Sequence, residues 1–380
     1  MNKQSLFGFC AVFLIGFYSC QSSSNEKAVI DHVELVIVDS LVIDHLGQLY
    51  MIDLKEDGSE YLLFDALTKD LLRVDSAGEI LQKVNRTGEG KDNYQSGYFF
   101  TAQYLANGDI MVETYGMQFI YDENFALKEK RRTPFNLITN LIGGSTVNLP
   151  IEGFMFSSAI KSDDPMDGLF ESYAVEYPLL TAYHLDDFSI KARAKFPEQS
   201  QMVLNPGQYN FDNPFALYYQ NELYLNYAVS PQIYIYDFPS LELKRVIELN
   251  PGENYKQNIP SDPNENFGRF FNALASSTYE GFNFSNGYLI AWYKGAVPKE
   301  EVDALPRNVV GQPEYRALQK KYESTFYQIF DGDKKLWEGQ KDIKLSSCRN
   351  LIYSKVKEGE EADQVEKDYE TFYFYGVNID

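Results

Sequence analysis

Histidine and cysteine are scarce in this sequence, whose 380 residues contain three of each. The cysteines are Cys10, Cys20 and Cys348, and the first two lie in or beside an N-terminal segment with the character of an export signal. Only Cys348 remains for the folded part, so no disulfide is expected within it. A single Cys among strand-forming residues is predicted to be a small buried apolar side chain rather than a nucleophile.

The few histidines limit the chemistry further. Catalysis by a serine or cysteine needs a base within hydrogen-bond reach, and only His32, His45 and His184 are available. No two of them have the spacing of metal ligands, so neither a zinc nor an iron site is predicted. His184 stands where similar segments carry Tyr or Phe, which favours a packed imidazole over a general base. The sequence therefore predicts no catalytic residue and no metal site.

Basic residues are also in deficit, since 34 Lys and Arg face 55 Asp and Glu, for a formal net charge of -21. Removal of residues 1–19 would take away only Lys3 among the charges and leave -22. Phosphate backbones repel so acidic a chain, and no basic stripe with interleaved aromatics offsets that charge. Nucleic acid is therefore excluded as a partner, and the acidity is interpreted as a means of solubility outside the cytoplasm.

The N-terminus predicts an export signal and a lipid anchor. Lys3 precedes an apolar run, Leu6 to Phe17, which is too short to span a bilayer. Ser19-Cys20 follows, and a small residue before a Cys at this point resembles the lipobox of bacterial lipoproteins. We expect a signal peptide over 1–19, lipidation of Cys20, a tether over 20–30 and one domain over 31–380. A plain secretory signal with an incidental Cys is the alternative.

The rest of the chain repeats a hairpin pattern. Strand-like runs meet at turns that contain an Asp, and the copies read RVDSAGEIL, IYDENFALK, YHLDDFSIK, IYDFPSLEL and IFDGDKKLW. Repeats at this spacing predict an all-β ring of small sheets, a β-propeller with four-stranded antiparallel blades. Six blades are predicted, and a seventh would fit if the long fifth region contained one. The strand at 33–40 has no partners of its own, so it is predicted to close the ring by completing the last blade.

Helices are predicted in one insert only. Within the fifth repeat, residues 298–305 and 313–323 have the composition of short helices, and no other segment of the chain does. Because Tyr and Phe make up most of the 15% aromatic content, large rings are expected to fill the wedges between the splayed blades.

Residues 71–94, LLRVDSAGEILQKVNRTGEGKDNY, carry a family resemblance through six positions: Asp75, Gly78, Arg86, Gly88, Gly90 and Tyr94. This pattern resembles the six-bladed β-propeller lipoproteins of Bacteroidetes, and the chain is also similar to domain-of-unknown-function family 4221 of the same bacteria. The resemblance implies a propeller lipid-anchored in the cell envelope of a Gram-negative bacterium, and it implies no catalytic residue. Because no strong acidic cluster follows Cys20, the periplasmic face is favoured over the cell surface.

Two amide-rich and aromatic loops are the most site-like segments, at 205–214 and 266–272. Tyr rings stack on apolar faces of sugars or peptides, while amides, carboxylates and guanidinium groups bind their polar edges. The predicted ligand-binding rim consists of six residues from these loops: Tyr209, Asn210, Asp212, Asn266, Arg269 and Asn272. Ordered inter-blade loops without a ligand would have the same composition.

A calcium loop at residues 262–268 is the strongest metal-site signal in the sequence, although it is incomplete. Asp262, Asn264 and Asn266 place oxygen ligands at alternate positions. The Gly arrives one residue late, and Ala273 stands where a bidentate Glu would be needed. We therefore expect no cofactor, with calcium there as the minor alternative. A phosphate cradle at 86–91 is disfavoured because no Gly-Lys-Ser/Thr opens onto a helix.

These features together predict a lipid-anchored, extracytoplasmic propeller that acts as a noncatalytic binding or interaction module for a glycan, peptide or partner protein. The alternative is a carboxylate-dependent polysaccharide hydrolase or lyase. That enzyme would need two or more acidic side chains that converge in one pocket with perturbed pKa values.

Overall fold

The computed structural model of the protein describes residues 33–94, 99–114, 116–134, 148–158, 180–207, 209–210, 214–262, 265, 267–360 and 368–379. Six four-stranded antiparallel sheets, the blades, are formed by these residues. Blade 1 consists of β2 (Leu49–Leu54), β3 (Glu60–Asp65), β4 (Asp70–Asp75) and β5 (Ile80–Asn85). Blade 2 consists of β6 (Phe99–Tyr104), β7 (Ile110–Thr114), β8 (Met117–Tyr121) and β9 (Leu127–Arg132). Blade 3 consists of β10 (Asn148–Ile151), β11 (Phe154–Ser157), β12 (Leu180–His184) and β13 (Ile190–Ala194).

The second half of the ring follows the same plan. Blade 4 consists of β14 (Pro214–Tyr219), β15 (Glu222–Tyr227), β16 (Gln232–Asp237) and β17 (Leu243–Glu248). Blade 5 consists of β18 (Thr278–Ser285), β19 (Tyr288–Lys294), β20 (Thr325–Asp331) and β21 (Lys334–Lys341). Blade 6 consists of β22 (Ser346–Cys348), β23 (Leu351–Ser354), β24 (Glu370–Ile379) and β1 (Val33–Ile43). The predicted six-bladed propeller is confirmed.

The first strand of each blade is the inner one. β2 contacts both β6 and β22, and β18 contacts both β22 and β14, so these strands lie next to the axis. β1 is the outer strand of blade 6, where it pairs with β24 from Val33↔Ile379 to Ile43↔Glu370. The first described strand and the last one therefore close the ring, as predicted.

The repeated Asp turns join the third and fourth strands of blades 1 to 5, which makes them the outer hairpins. In blade 1, Asp75 Oδ1 accepts the backbone N–H groups of Ala77 and Glu79, each at 2.9 Å. In blade 2, Asp122 Oδ1 accepts those of Asn124 and Ala126, each at 2.8 Å. The recurrence has a local cause, since a carboxylate that accepts two N–H groups fixes the turn independently of the rest of the fold.

Aromatic side chains fill the space between neighbouring blades, as expected. Phe64 of blade 1 stacks on Phe99 at the start of blade 2, with ring centroids 4.4 Å apart. Tyr219 of blade 4 stacks in the same way on Phe284 of blade 5, also at 4.4 Å. Phe64 is buried, and full burial of such a ring stabilises a fold by about 1.5–3 kcal/mol, so contacts between their faces hold neighbouring blades together.

The described part of the chain contains four short helices besides the blades: α1 (Gln201–Leu204), α2 (Gly268–Leu274), α3 (Lys299–Asp303) and α4 (Pro313–Lys321). The insert helices α3 and α4 were predicted, but the prediction that no other helix exists is wrong. α2 occupies the segment that was interpreted as a loop at 266–272. Among the described residues, none of the helices has the length and apolar composition needed to cross a membrane.

Candidate binding face

The two ends of the ring differ sharply in the length of their connections. In an antiparallel blade, the first and third turns leave one end, and the second turn and the link to the next blade leave the other. At the first end, every connection between the described strands has five residues or fewer. At the second end, the connections include 249–277 and 295–324. We call this second end the long-loop face, and loops of such length are where propellers and other scaffolds place binding residues.

Two neighbouring loops of this face contact each other. A Cβ at Gly207 would lie 2.7 Å from Cβ of Pro260, so the two backbones approach closely there. Gln201 Nε2 donates to the carbonyl of Asn258 at 3.2 Å. The loop at 195–210, which enters blade 4, and the loop at 249–277, which enters blade 5, therefore form one continuous surface.

Four of the six predicted rim residues are described, and all four belong to these two loops. Asn210 and Arg269 are partly exposed, and the Arg269 guanidinium lies 4.9 Å from the Phe270 ring centroid. Asn272 Nδ2 donates to the carbonyl of Pro260 at 3.3 Å, which joins α2 to the loop beneath it. Asp212 and Asn266 lie outside the described residues. The structure thus brings together the loops that carry Asn210, Arg269 and Asn272.

Tyr209 is placed differently from an exposed rim residue. Its side chain is buried among apolar residues of blades 3 and 4, and its hydroxyl donates to the carbonyl of Asn205 at 2.6 Å. Burial raises the pKa of Tyr209 to about 12. Tyr209 supports the loop from below, and its contact with a ligand stays a prediction.

Three exposed apolar side chains on the same surface were missed by the sequence analysis. Leu204 is 64% exposed, Ile259 65% and Phe267 50%. They lie at the end of α1, beside Pro260 and just before α2, in the segments that contact one another. Their residue types are ordinary in a core, so no sequence signal could mark them as exposed.

A helical platform holds α2 in place. Phe271 and Leu274 of α2 pack with Val297 and Val302 from the insert of blade 5. Tyr315 of α4 donates its hydroxyl to the carbonyl of Phe270 at 3.0 Å, and its ring meets Phe271 edge-on. The local sequence does not favour the start of α2, because its first residue is Gly268 and the preceding residue, Phe267, has a left-handed φ of 61°. The contacts with the insert therefore stabilise this helix.

A group of charged side chains lies at the inner side of the same face. Glu280 is on the inner strand of blade 5, at a bulge where the register shifts between Tyr279 and Gly281. Burial raises the pKa of Glu280, the charges of Lys294 and Lys344 oppose that rise, and the carboxylate of Glu323 adds to it. Lys344 Nζ also lies 3.3 Å from Glu323. A buried carboxyl whose pKa is raised, under the influence of a second carboxylate, is the kind of group that the hydrolase alternative requires.

Two of the three histidines, His45 and His184, lie within the described residues. His45 Nε2 lies 2.9 Å from Asp65 Oδ2. Burial raises the pKa of Asp65, but hydrogen bonds from His45, from the N–H groups of Leu67 and Gln48 and from Thr68 outweigh it, so the pKa is well below its ordinary value. His184 is exposed at the end of β12, with its ring 4.8 Å from that of Phe154. The prediction of a packed imidazole is therefore wrong: His184 is exposed, on the end with short connections, with one ring, that of Phe154, against it.

The metal predictions are only partly covered by the structure. Within the described ranges, no three His, Cys, Asp or Glu side chains lie close enough together to hold a metal ion. Asp262 is exposed, while Asn264 and Asn266 lie outside the described residues, so calcium binding there stays untested. The segment at 86–94 forms a closed blade-to-blade loop, since Tyr94 N donates to the Arg86 carbonyl at 2.9 Å.

The fold recurs in solved structures from Bacteroides. A member of domain-of-unknown-function family 4221 from Bacteroides vulgatus superposes with a TM-score of 0.64 at 12% identity, over 92% of this chain and 100% of that one. This is the fold that the sequence resemblance predicted. A candidate exported protein of Bacteroides fragilis superposes with a TM-score of 0.55 at 12% identity, over 93% of this chain and 96% of that one. No protein-family model matches the chain, and no curated protein does.

Proposed function

We propose that this protein is an exported, lipid-anchored binding module whose long-loop face receives an apolar segment of a peptide or partner protein that also carries an acidic group. The observation that carries the proposal is the surface formed by the two contacting loops, where Leu204, Ile259 and Phe267 are exposed. Arg269, which is partly exposed, follows Phe267 by two positions. Contact between these side chains and aliphatic or aromatic residues of a ligand would remove apolar surface from water, which favours binding. Arg269 would pair with a carboxylate.

The apolar character of this surface favours a peptide over a glycan as the ligand. Sugar rings need flat aromatic faces on which to stack, whereas two of the three exposed side chains are the branched aliphatic residues Leu204 and Ile259. These residues suit a protein segment better. The second structural relative, a candidate exported protein, supports the extracytoplasmic address, and Cys20 would supply the anchor to the envelope, with the periplasmic face favoured.

Selection of random peptides displayed on phage, against the mature protein, tests the proposal. Enriched peptides should combine apolar residues with an acidic one, and synthetic copies should bind the purified protein. The variant Phe267→Asn, which keeps a residue that tolerates a left-handed backbone, and the variant Arg269→Glu should each weaken that binding at least about ten-fold, equivalent to about 1.4 kcal/mol. Peptides that bind equally well to both variants would contradict the proposed surface.

Matched changes on the outer strands serve as controls. Leu243→Asn and Lys191→Glu alter exposed residues near the starts of β17 and β13, at the end with short connections, and should leave peptide affinity unchanged.

A carboxylate-dependent polysaccharide hydrolase or lyase is the second candidate function, and the Glu280 and Glu323 arrangement is what favours it. The experiment is a screen of polysaccharides for turnover. Activity that is lost in Glu280→Gln and kept in Glu300→Gln, an exposed change in α3, would replace the noncatalytic proposal. Absence of turnover with every polysaccharide would remove the support for this alternative.

A further inference from the structure

The outer strands of the blades differ in how their edges are protected. Each outer strand leaves a row of backbone groups unpaired, and natural proteins guard such edges with charged residues, Lys above all. The outer strands of blades 1 to 5 follow this rule, and their basic residues are Lys83 in β5, Lys128, Lys130, Arg131 and Arg132 in β9, Lys191 and Arg193 in β13, Lys244 and Arg245 in β17, and Lys334, Lys335 and Lys341 in β21.

β1, the outer strand of blade 6, has no basic residue. Instead it exposes three aliphatic side chains, Ile37, Val38 and Val42, which we call the β1 strip. Val38 is 58% exposed. The other outer strands expose at most one large apolar residue each, such as Ile190 in β13 or Leu243 in β17, which is 39% exposed. Blade 6 is therefore the apolar side of the described ring.

The shape of β1 decides what kind of partner fits the strip. The register shifts between Ile37 and Asp39, which is a β-bulge in the middle of the strand. A bulge interrupts the row of edge N–H and C=O groups and bends the strand away from a partner. Asp39 also accepts the N–H of Ser40 at 2.7 Å. An added strand, from a second copy or another protein, would thus find no continuous row of backbone groups to pair with. The acyl chains of a lipid bilayer form no hydrogen bonds and need no such row.

We propose that the β1 strip contacts the lipid of the membrane that holds the acylated Cys20. This inference rests on the proposed lipid anchor. Val33 follows Cys20 by 33 − 20 = 13 positions, and a chain of that length reaches at most about 45 Å, with a typical end-to-end distance of roughly 20 Å when flexible. β1 is the strand held nearest to the anchor, and its side chains are the ones that suit acyl chains.

The charge of β1 indicates which part of the lipid it contacts. The charged residues of the strand are Glu34 and Asp39, so anionic headgroups offer it no attraction. Contact should therefore depend on the acyl region and not on anionic lipid content. With blade 6 against the bilayer, the axis of the ring lies along the membrane plane, which leaves the long-loop face open to a partner.

Spin labels on the acylated, full-length mature protein in phosphatidylcholine vesicles test the inference. One label is placed by Val38→Cys and the matched one by Leu243→Cys, on outer strands of blades 6 and 4. Cys348 is buried, so it should not take the label. The label at position 38 should gain oxygen accessibility and lose accessibility to a water-soluble nickel chelate when vesicles are present, and the label at position 243 should not.

The other outcomes separate the proposals. Anchored protein with equal accessibilities at positions 38 and 243 would overturn the lipid contact and leave the anchor intact. Protection of position 38 in the absence of vesicles, increasing with protein concentration, would overturn it in favour of a second copy of the chain. Protein that stays out of the vesicle fraction and has no acyl mass on Cys20 would overturn the anchor and the lipid contact together, with peptide binding at the long-loop face still measurable.

Discussion

Arg349 and Asp53 form a two-pronged ion pair where the ring closes. Arg349 Nε lies 2.5 Å from Asp53 Oδ1, and Nη2 lies 2.8 Å from Oδ2. The same Nη2 donates to the carbonyl of Tyr104 at 3.0 Å, and Asp53 Oδ2 accepts the N–H of Tyr104 at 2.6 Å. Three blades are thus held by one pair: blade 6 through Arg349, blade 1 through Asp53 and blade 2 through Tyr104.

Replacing Arg349 by Met should destabilise the protein by about 3 kcal/mol, because the nearly buried carboxylate of Asp53 loses its partner. Urea unfolding of the mature protein measures this as a lower midpoint. Arg349→Met combined with Asp53→Asn should recover part of the loss, since no unpaired charge then remains. Arg316→Met, an exposed change in α4, is the control. A similar loss of stability in Arg349→Met and Arg316→Met would refute the special role of the pair.

The stability that Asp65 provides should depend on pH. Its pKa is lowered in the folded protein from an unfolded value near 3.8, so the folded state favours the charged carboxylate. A lowered pKa means that the stabilisation is fully present above the unfolded value and is lost as the pH falls through the folded value. Asp65→Asn should therefore cost about 2–3 kcal/mol at pH 7 through lost charged hydrogen bonds, with the cost shrinking below about pH 4.

Urea unfolding of wild type and Asp65→Asn at several pH values between 7 and 3 checks this prediction. The neighbouring exposed change Asp44→Asn should show no comparable difference from wild type at any pH. A stability difference for Asp65→Asn that stayed constant down to the acid end would mean that the residue acts through packing and not through its charge.

The repeated hairpins were predictable because their causes are local. Asp75 and Asp122 fix their turns through groups two and four residues away, and alternation along each strand follows from its two faces. The candidate site depends on distant contacts instead. α2 forms because Phe271 and Leu274 meet an insert that begins beyond β19, and the pair of Arg349 with Asp53 joins residues 296 positions apart. No spacing rule in a single sequence reports such neighbours, which is why an amide-rich loop was predicted where the protein has a helix.

Replacement of Cys20 by Ser should release the protein from the membrane. Acyl chains contribute about 0.8 kcal/mol for each buried methylene group, so the loss of the anchor should move the mature chain from the membrane fraction to the soluble one. Cells fed an alkyne-bearing fatty acid should label the wild type and not the variant. Cys10→Ser, within the predicted signal peptide, is the matched control and should keep both the label and the membrane association. A Cys20→Ser chain that remained labelled and membrane-bound would disprove the lipobox interpretation.

Replacement of Leu274 by Ala should loosen the long-loop face without opening the ring. Leu274 is buried against the insert helices, so the change removes about 2–4 kcal/mol of packing from a platform outside the blades. Hydrogen exchange should become faster over residues 268–274 and 299–321 while the blade strands keep their protection, because local opening of a peripheral unit does not require global unfolding. Peptide binding at the proposed surface should weaken in parallel, since Phe267 and Arg269 are held by α2.

Leu81→Ala, an exposed change on β5, is the control. If exchange instead rose equally in all six blades, the platform would be part of the cooperative core, and the binding face would be as rigid as the ring beneath it.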